Sequence, residues 1–424
     1  MSPVEYKLDD VFGIRRDLPL NYTERESADA FLVENLTRDK HLVIYGSSKQ
    51  GKTSLRKHCL NQDDYIVVHC SNKTSLSDLH SLILKQAGYE ITLTNTRSAS
   101  GSNKILAKFG VTFGYKAEAG AEKADNHTQS EITSPLELDP GDVNDVILAL
   151  EKINFEKYIV LEDFHYLSLE AQKEFSFALK AFHENSKLCF LIIGVWLEEN
   201  RLTVYNGDLT GRVVSINADK WEKEELQRVI TSGEELLNIE FDKNFQESLI
   251  GNCFDSVYIL QESCYRCCRA DNVQGTEKRK KLVGKNVNCE SIVKEVVNEQ
   301  TGRFNSFITQ FADGFQETAL HMHKWILYPI LTLEIERLEK GIRQKEIRDL
   351  LKSHHPKREE LNPGNLTQAL LSCASLQVKK DIKPIILDYD QTNLRLTIVD
   401  RSFIIWLHNK DRKELLELAD LPTS

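Results

Sequence analysis

No apolar run in the sequence is long enough to cross a bilayer. The longest, Leu188–Leu197, is ten residues, where a membrane helix needs about 20. No membrane partner is expected. The opening Met1-Ser2-Pro3-Val4-Glu5 lacks the basic-then-apolar pattern of a secretion signal. Nine cysteines without such a signal are expected as free thiols in a reducing cytoplasm, not as a disulfide framework. Positive charge is not in excess: 54 Lys+Arg against 64 Asp+Glu leaves −10, which argues against indiscriminate coating of nucleic acid. Residues 321–424 carry 17 Lys+Arg against 15 Asp+Glu, a mild asymmetry and no basic patch. Internal repeats and low-complexity tracts are missing as well. What remains, 41% hydrophobic and 28% charged residues, describes an ordinary soluble protein. Its 424 residues exceed one core, so about two to four domains are expected.

The most informative stretch is His41-Leu42-Val43-Ile44-Tyr45-Gly46-Ser47-Ser48-Lys49-Gln50-Gly51-Lys52-Thr53-Ser54-Leu55. Gly46 to Thr53 fits G-x-x-x-x-G-K-[ST], the phosphate-binding loop. Four apolar residues ahead of it suit a buried parallel strand. Gly46 and Gly51 permit the backbone angles of an anion-cradling loop. The N–H groups of the loop and the next helix, from Gly46, Ser47, Ser48, Lys49, Gln50, Gly51, Lys52, Thr53 and Ser54, then face a phosphate with the helix dipole behind them. In such a loop Lys52 neutralises the β- and γ-phosphates and the Thr53 hydroxyl ligates Mg²⁺. A bound nucleoside triphosphate is the expectation.

Strand and helix patterns alternate around this loop. A helix is expected over Glu24–Leu36, with Thr23 as cap and Glu26 completing a capping box. Tyr65–Cys70 reads as a strand, Leu76–Ala87 as a helix, Tyr158–Asp163 as a strand, Leu169–Asn185 as a helix, and Leu188–Gly194 and Val213–Ile216 as strands. That alternation predicts a parallel sheet with helices on both faces. Residues 92–140 break the rhythm. Ser98–Asn103, then Lys108–Tyr115 with partial alternation, then a polar stretch to Pro140 read either as an inserted hairpin with mobile flanks or as a disordered loop. From Trp221 the strand patterns stop and helices are expected over Glu224–Leu237, Phe245–Cys268 and Cys289–Asn298. Near residue 320 the pattern changes again: helices Trp325–Lys340, Gln344–Leu351 and Asn365–Leu376, then strands Pro384–Tyr389 and Leu394–Val399 around a polar turn, make a winged helix-turn-helix pattern. The expected division is a P-loop core over residues 1–218, a helical lid over 219–319, a winged helix over 320–410 and a tail over 411–424.

Hydrolysis needs a carboxylate at the end of a neighbouring strand to hold Mg²⁺ and orient water. Glu162 and Asp163 stand there, in the reverse of the usual Asp-Glu order. Glu162 is assigned to the metal through water and Asp163 to the attacking water. Its shorter side chain predicts slow turnover. Arg212 precedes the last strand and is read as reaching the γ-phosphate of its own or a neighbouring subunit, with a surface salt bridge as the plain alternative. Cys264, Cys267 and Cys268 form C-x-x-C-C; with no second pair at zinc spacing, they read as one face of a helix. Lys278–Lys281 reads as a solvated loop, His354-His355 as surface, and Trp325 and Trp406 as core.

The order of these motifs resembles the AAA+-related P-loop ATPases that join a nucleotide core, a helical lid and a C-terminal winged helix, including origin-recognition-type ATPases and prokaryotic STAND ATPases. The likeness spans about residues 11–410, and Gly46–Thr53 is its specific part. Tyr22-Thr23-Glu24-Arg25-Glu26 is similar to the family's GRE element, with Glu24 where glycine stands. Glu162-Asp163 resembles its acidic strand end. Thr210–Val213 followed by Trp221–Leu237 resembles its arginine-strand-helix passage. The sensor-2 arginine belongs near Phe254–Tyr258, where this chain has none, which leans away from a motor and towards STAND.

The resemblance implies ATP and Mg²⁺ as ligands and a slowly hydrolysing switch that clamps the three domains. It implies a homo-oligomer or a separate effector protein as partner, with prokaryotic antiviral defence as a setting. A DNA-binding ATPase of initiator or transposition-regulator type is the alternative, and a binding module with negligible turnover the third reading. Nucleic acid is not favoured, because Asn365–Leu376 presents no basic side chain and Lys379-Lys380 lie only after it.

Overall fold

The computed structural model describes residues 4–97, 103–109, 135–219, 221–316 and 318–423. Strand β1 (His41–Tyr45) is followed by the helix Lys52–Cys59, β2 (Tyr65–His69) and the helix Leu76–Gln86. An antiparallel trio comes next, β3 (Tyr89–Arg97), β4 (Asn103–Phe109) and β5 (Leu136–Leu138). The chain then returns through the helix Val143–Lys152 to β6 (Tyr158–Glu162), the helix Leu169–Asn185, β7 (Phe190–Ile193) and β8 (Val213–Asn217).

The main sheet has the order β2-β6-β7-β1-β8, and every pair in it is parallel. Such strands are covered on both sides. Val43, Leu161 and Ile192 pack with helix residues Phe175 and Phe182 on one face; Leu42, Ile44, Leu191 and Ile193 pack with Leu55 and Leu32 on the other. β7 stands between β1 and β6, so the loop after β1 and the acidic end of β6 are two strand spacings apart, about 9–10 Å.

Beyond the sheet, several elements depart from the expected pattern. The first helix starts at Glu26, not Glu24, with a widened turn over Glu26–Ala30 before Phe31–Leu36. Thr23 caps nothing; its hydroxyl donates to the Asn21 carbonyl, and the Arg25 N–H goes to the Asp29 carboxylate at 2.9 Å. The expected helix Phe245–Cys268 is two helices, Lys243–Asn252 and Val257–Ala270, because Phe254 and Asp255 both adopt positive φ, 51° and 54°. Strands do not stop at Trp221 either: β9 (Ile239–Phe241) and β10 (Lys281–Val283) pair in parallel inside the lid. Leu8, Val11 and Phe12 pack with Trp221, Leu226 and Val229 and not against the parallel sheet, although the expected P-loop core begins at residue 1.

The C-terminal region contains the helices Met322–Thr332, Ile335–Glu339, Gln344–His354, Pro363–Leu371 and Cys373–Lys379. With them comes a small antiparallel sheet, β11 (Ile342–Arg343), β12 (Leu387–Asp390) and β13 (Arg395–Ile398), in the order β11-β13-β12. The helix Arg401–His408 closes over the lid, with Trp406 against Phe304 and Phe403. The expected helix Asn365–Leu376 breaks at Ser372. His355 is buried against Trp325 rather than at the surface, while His354 is exposed. Residues 221–319 and the C-terminal region share one apolar core, which includes Cys264, Cys267 and Cys268. Ser98–Ser102 and residues 110–134 of the expected insertion lie outside the described residues. Among the described residues no helix is long and apolar enough to cross a membrane.

Candidate nucleotide-binding site

The loop Gly46–Gly51 emerges from the C-terminal end of β1 and runs into the helix Lys52–Cys59. The first bond back along that helix is Leu55 N–H to Gly51 O at 2.8 Å, so the N–H groups ahead of it have no intrahelical acceptor. Gly46 has φ +146° and a Cβ there would meet the Asp219 backbone at 2.8 Å; Gly51 sits at φ +78°. Glycine is required at Gly46 by space and by conformation together.

Lys52 is buried, and its ammonium donates to the Gly46 and Ser47 carbonyls at 3.0 and 2.5 Å. Burial lowers its pKa to about 8, with Asp219, Glu162 and Asp163 opposing the shift. The Ser47 hydroxyl is buried beside the Asp219 carboxylate. The Thr53 side chain is exposed at the mouth of the same cavity. The N–H groups at the start of the helix Lys52–Cys59, a buried ammonium and an exposed hydroxyl suit a triphosphate with its Mg²⁺.

The acidic end of β6 lines the same cavity. Glu162 is buried, and one carboxylate oxygen is committed to Arg56 Nε at 3.1 Å. Burial pushes its pKa up while Arg56 opposes. Asp163 has φ 59°, a left-handed turn that ends the strand and starts the short helix Phe164–Tyr166. It is half-buried; burial raises its pKa, and His69, Lys52 and Lys383 pull it back.

Arg212 is elsewhere. Its carbonyl accepts from His41 N–H, at the opposite end of β1 from the loop. Five strand residues, about 16 Å, separate the two ends. The guanidinium pairs with Glu184 at 2.7 Å on the surface. A γ-phosphate on Arg212's own chain is out of its reach, which corrects the own-subunit half of that reading.

Residues given no site role in the sequence reading hold the loop from outside. Asp219, just past β8, accepts from Ser47 N–H at 2.8 Å and pairs with Arg401 at 2.7 Å. Burial alone would raise Asp219, but Arg401 and the hydroxyl and N–H of Ser47 outweigh it and hold it below the usual carboxylate range. Val399 accepts from Ser48 N–H at 2.8 Å. Gln50 donates to Asp255 O at 3.0 Å and accepts from Val257 N–H at 3.3 Å, an arrangement made possible by the break at Phe254-Asp255. No motif marks Asp219, Arg401 or Val399 in sequence.

The cavity extends away from the loop to about 640 Å³, within the size range of small-molecule sites. Its far end is lined by Ile14, Pro19, Trp221 and Val229, with the amides of Asn21 and Gln261 bonded to each other at 2.8 and 2.9 Å. An apolar slot with a paired amide suits a nucleotide base. Arg25 lies under it instead of lining it, 4.2 Å from the Trp221 ring and donating to Ala218 O at 3.0 Å.

No protein-family model matches the sequence, and no curated protein matches it. Solved structures do resemble it. A Walker-type ATPase of Pyrococcus abyssi superposes with a TM-score of 0.50 at 14% identity, covering 94% of this chain and 99% of that one. The ORC2 protein of Aeropyrum pernix, solved with ADPNP and ADP, gives 0.48 at 14% identity over 98% of both chains. The ORC1 protein of the same organism, solved with DNA, gives 0.45 at 11% over 98% of both. The likeness to the P. abyssi structure is one of fold, and it takes in the C-terminal region as well as the sheet.

Proposed function

We propose that this chain is an ATP-binding, AAA+-type P-loop ATPase of origin-recognition-like build, in which the bound nucleotide sets how core, lid and C-terminal domain sit together. One observation carries the reading: three residues of the loop, Ser47, Ser48 and Gln50, are each held from a different place. Ser47 is bonded to Asp219, Ser48 to Val399 of the C-terminal region, and Gln50 to Asp255 and Val257 of the lid. A ligand that takes the Ser47 and Ser48 N–H groups must displace Asp219 and Val399, and one that reshapes the loop moves the Gln50 side chain held by Asp255 and Val257, so its binding energy is coupled to domain arrangement.

In this reading Lys52 binds the β- and γ-phosphates, Thr53 holds Mg²⁺, Glu162 holds its waters and Asp163 orients the attacking water. Magnesium supplies charge neutralisation across the β- and γ-phosphates. Two features support slow turnover: Asp163 is the shorter acid, and Arg56 occupies one oxygen of Glu162. A switch of the STAND kind fits the 254–258 segment, where Gln50 is held and no arginine stands. The partner is then a separate effector protein or further copies of this chain, and antiviral defence is one setting for such a pair.

A second reading, an initiator-type DNA-acting ATPase, is favoured by the helices and hairpin of the C-terminal region, which have the composition of a winged helix. Against it, Leu366, Ala369 and Leu370 of the helix Pro363–Leu371 are buried, and the β12–β13 turn is tied to the core through Thr392 and Glu198. Two measurements on the full chain test both readings. Titration with ATP and ADP in Mg²⁺ should show saturable binding, and phosphate release should be slow. Duplex-DNA affinity measured across salt should be weak and flat for the first reading; a steep fall with salt from tight binding would favour the second.

A further inference from the structure

The buried histidines of this protein fall into two groups. His41 uses both ring nitrogens, one at 3.2 Å from Leu179 O and the other accepting from Phe190 N–H. His355 does the same with Leu320 O and Lys357 N–H. His80 uses one, against Pro140 O at 2.8 Å. His165 is 3% exposed and neither of its nitrogens has a partner among the described residues. An unsatisfied buried polar group is destabilising, so a histidine without either bond is not explained by packing alone.

His165 lies where a ligand would meet it. The left-handed turn at Asp163 swings the chain off β6, and His165 lines the same cavity as Lys52, Thr53, Glu162 and Asp163. Its ring packs on Tyr166, centroid to centroid 4.0 Å, which fixes its plane. The charged groups acting on it are Lys52 and Arg201, both cations with nothing to accept from an imidazole. Arg201 is already neutralised by Asp388 and Glu198, whereas Lys52 holds only loop carbonyls. The unfilled requirement at this corner is for an anionic acceptor close to Lys52, on the side facing β6.

We propose that His165 is a positioning residue that donates a ring N–H to the terminal phosphoryl group of a bound triphosphate and so distinguishes triphosphate from diphosphate. The inference rests on the nucleotide reading given above. An imidazole keeps at least one N–H donor in either protonation state, so the contact does not depend on titration. A diphosphate ends short of this corner and leaves His165 as it is. A hydrogen bond to a charged phosphate oxygen changes affinity by about tenfold or more.

The test uses the full-length chain and three variants, H165A, H165N and H165Q, titrated with ADP and with a non-hydrolysable ATP analogue in Mg²⁺. H165A should bind the analogue about tenfold more weakly while its ADP affinity stays within about twofold of wild type. The unchanged ADP affinity also reports that the variant is folded. H165N or H165Q should recover part of the loss, since each amide reproduces one donor position. An equal loss for both nucleotides, no loss for either, or no recovery in both amide variants overturns the proposal. If the wild-type chain binds neither nucleotide, the nucleotide reading itself fails; nucleotide binding with an unmoved ratio sinks the role of His165 alone.

Discussion

Inside the phosphate loop, the N–H of Ser48 donates to the carbonyl of Val399 at 2.8 Å, and two residues further on Arg401 pairs with Asp219, which in turn holds the N–H of Ser47. The C-terminal region thus sits on the same donors that a phosphate would use. Arg401→Ala leaves Asp219 buried without its cation. It should cost about 2–3 kcal/mol, below the range for a fully enclosed pair because Arg401 is 18% exposed. It should also speed release of a fluorescent ADP in stopped flow. Release at the wild-type rate would mean that this contact does not govern exchange.

Lys52→Ala should abolish ATP binding, since it removes the one ammonium buried beside the loop carbonyls. Asp163→Ala should keep ATP binding and lower phosphate release about a hundredfold or more, the scale of a lost general base. A D163A chain that turns over normally would move the base elsewhere.

The position of Arg212 makes a prediction about assembly. Its pair with Glu184 is a surface contact worth under about 1 kcal/mol, so Arg212→Ala should hardly move the melting temperature. Turnover per chain in dilute monomer should match wild type. A loss that emerges only as concentration drives assembly would assign Arg212 to a neighbour's site; a loss in monomer would contradict the placement at the far end of β1.

Acid should weaken the core through His80. Burial lowers its pKa from 6.5 to about 4, with the Pro140 carbonyl opposing the shift. The unfolded chain therefore takes up a proton that the folded chain refuses. The stabilisation is complete above pH 6.5 and is lost progressively as pH falls towards 4. Between pH 7 and 5 this one group accounts for about 2 kcal/mol. Urea midpoints measured across that range should fall, and His80→Gln should flatten the slope.

Much of the sheet was legible because its residues are locally consistent. Leu42–Ile44, Ile159–Leu161 and Phe190–Ile193 are apolar throughout, as strands buried on both faces must be. The lid helices were less so. Local signals for the break in Phe245–Cys268 are short: Gly251-Asn252 ends the first helix and Ser256 caps the second, accepting from Ile259 N–H, while the positive φ of Phe254 and Asp255, neither of them glycine or proline, has no mark in the sequence. His355 reads as a polar turn residue but is buried, because its two ring bonds satisfy it there.

By itself the sequence determined the loop Gly46–Thr53, the strand before it and the pair Glu162-Asp163, because phosphate binding depends on local backbone conformation and a few adjacent side chains. Only the tertiary structure decided what surrounds that loop. It set Arg212 at the far end of the sheet, tied Glu162 to Arg56, left His165 without a partner among the described residues, and brought Asp219 (with Arg401 behind it), Asp255 and Val399 onto the loop residues Ser47, Ser48 and Gln50. Those contacts join positions hundreds of residues apart, and they follow from strand order and domain packing, which no local spacing records.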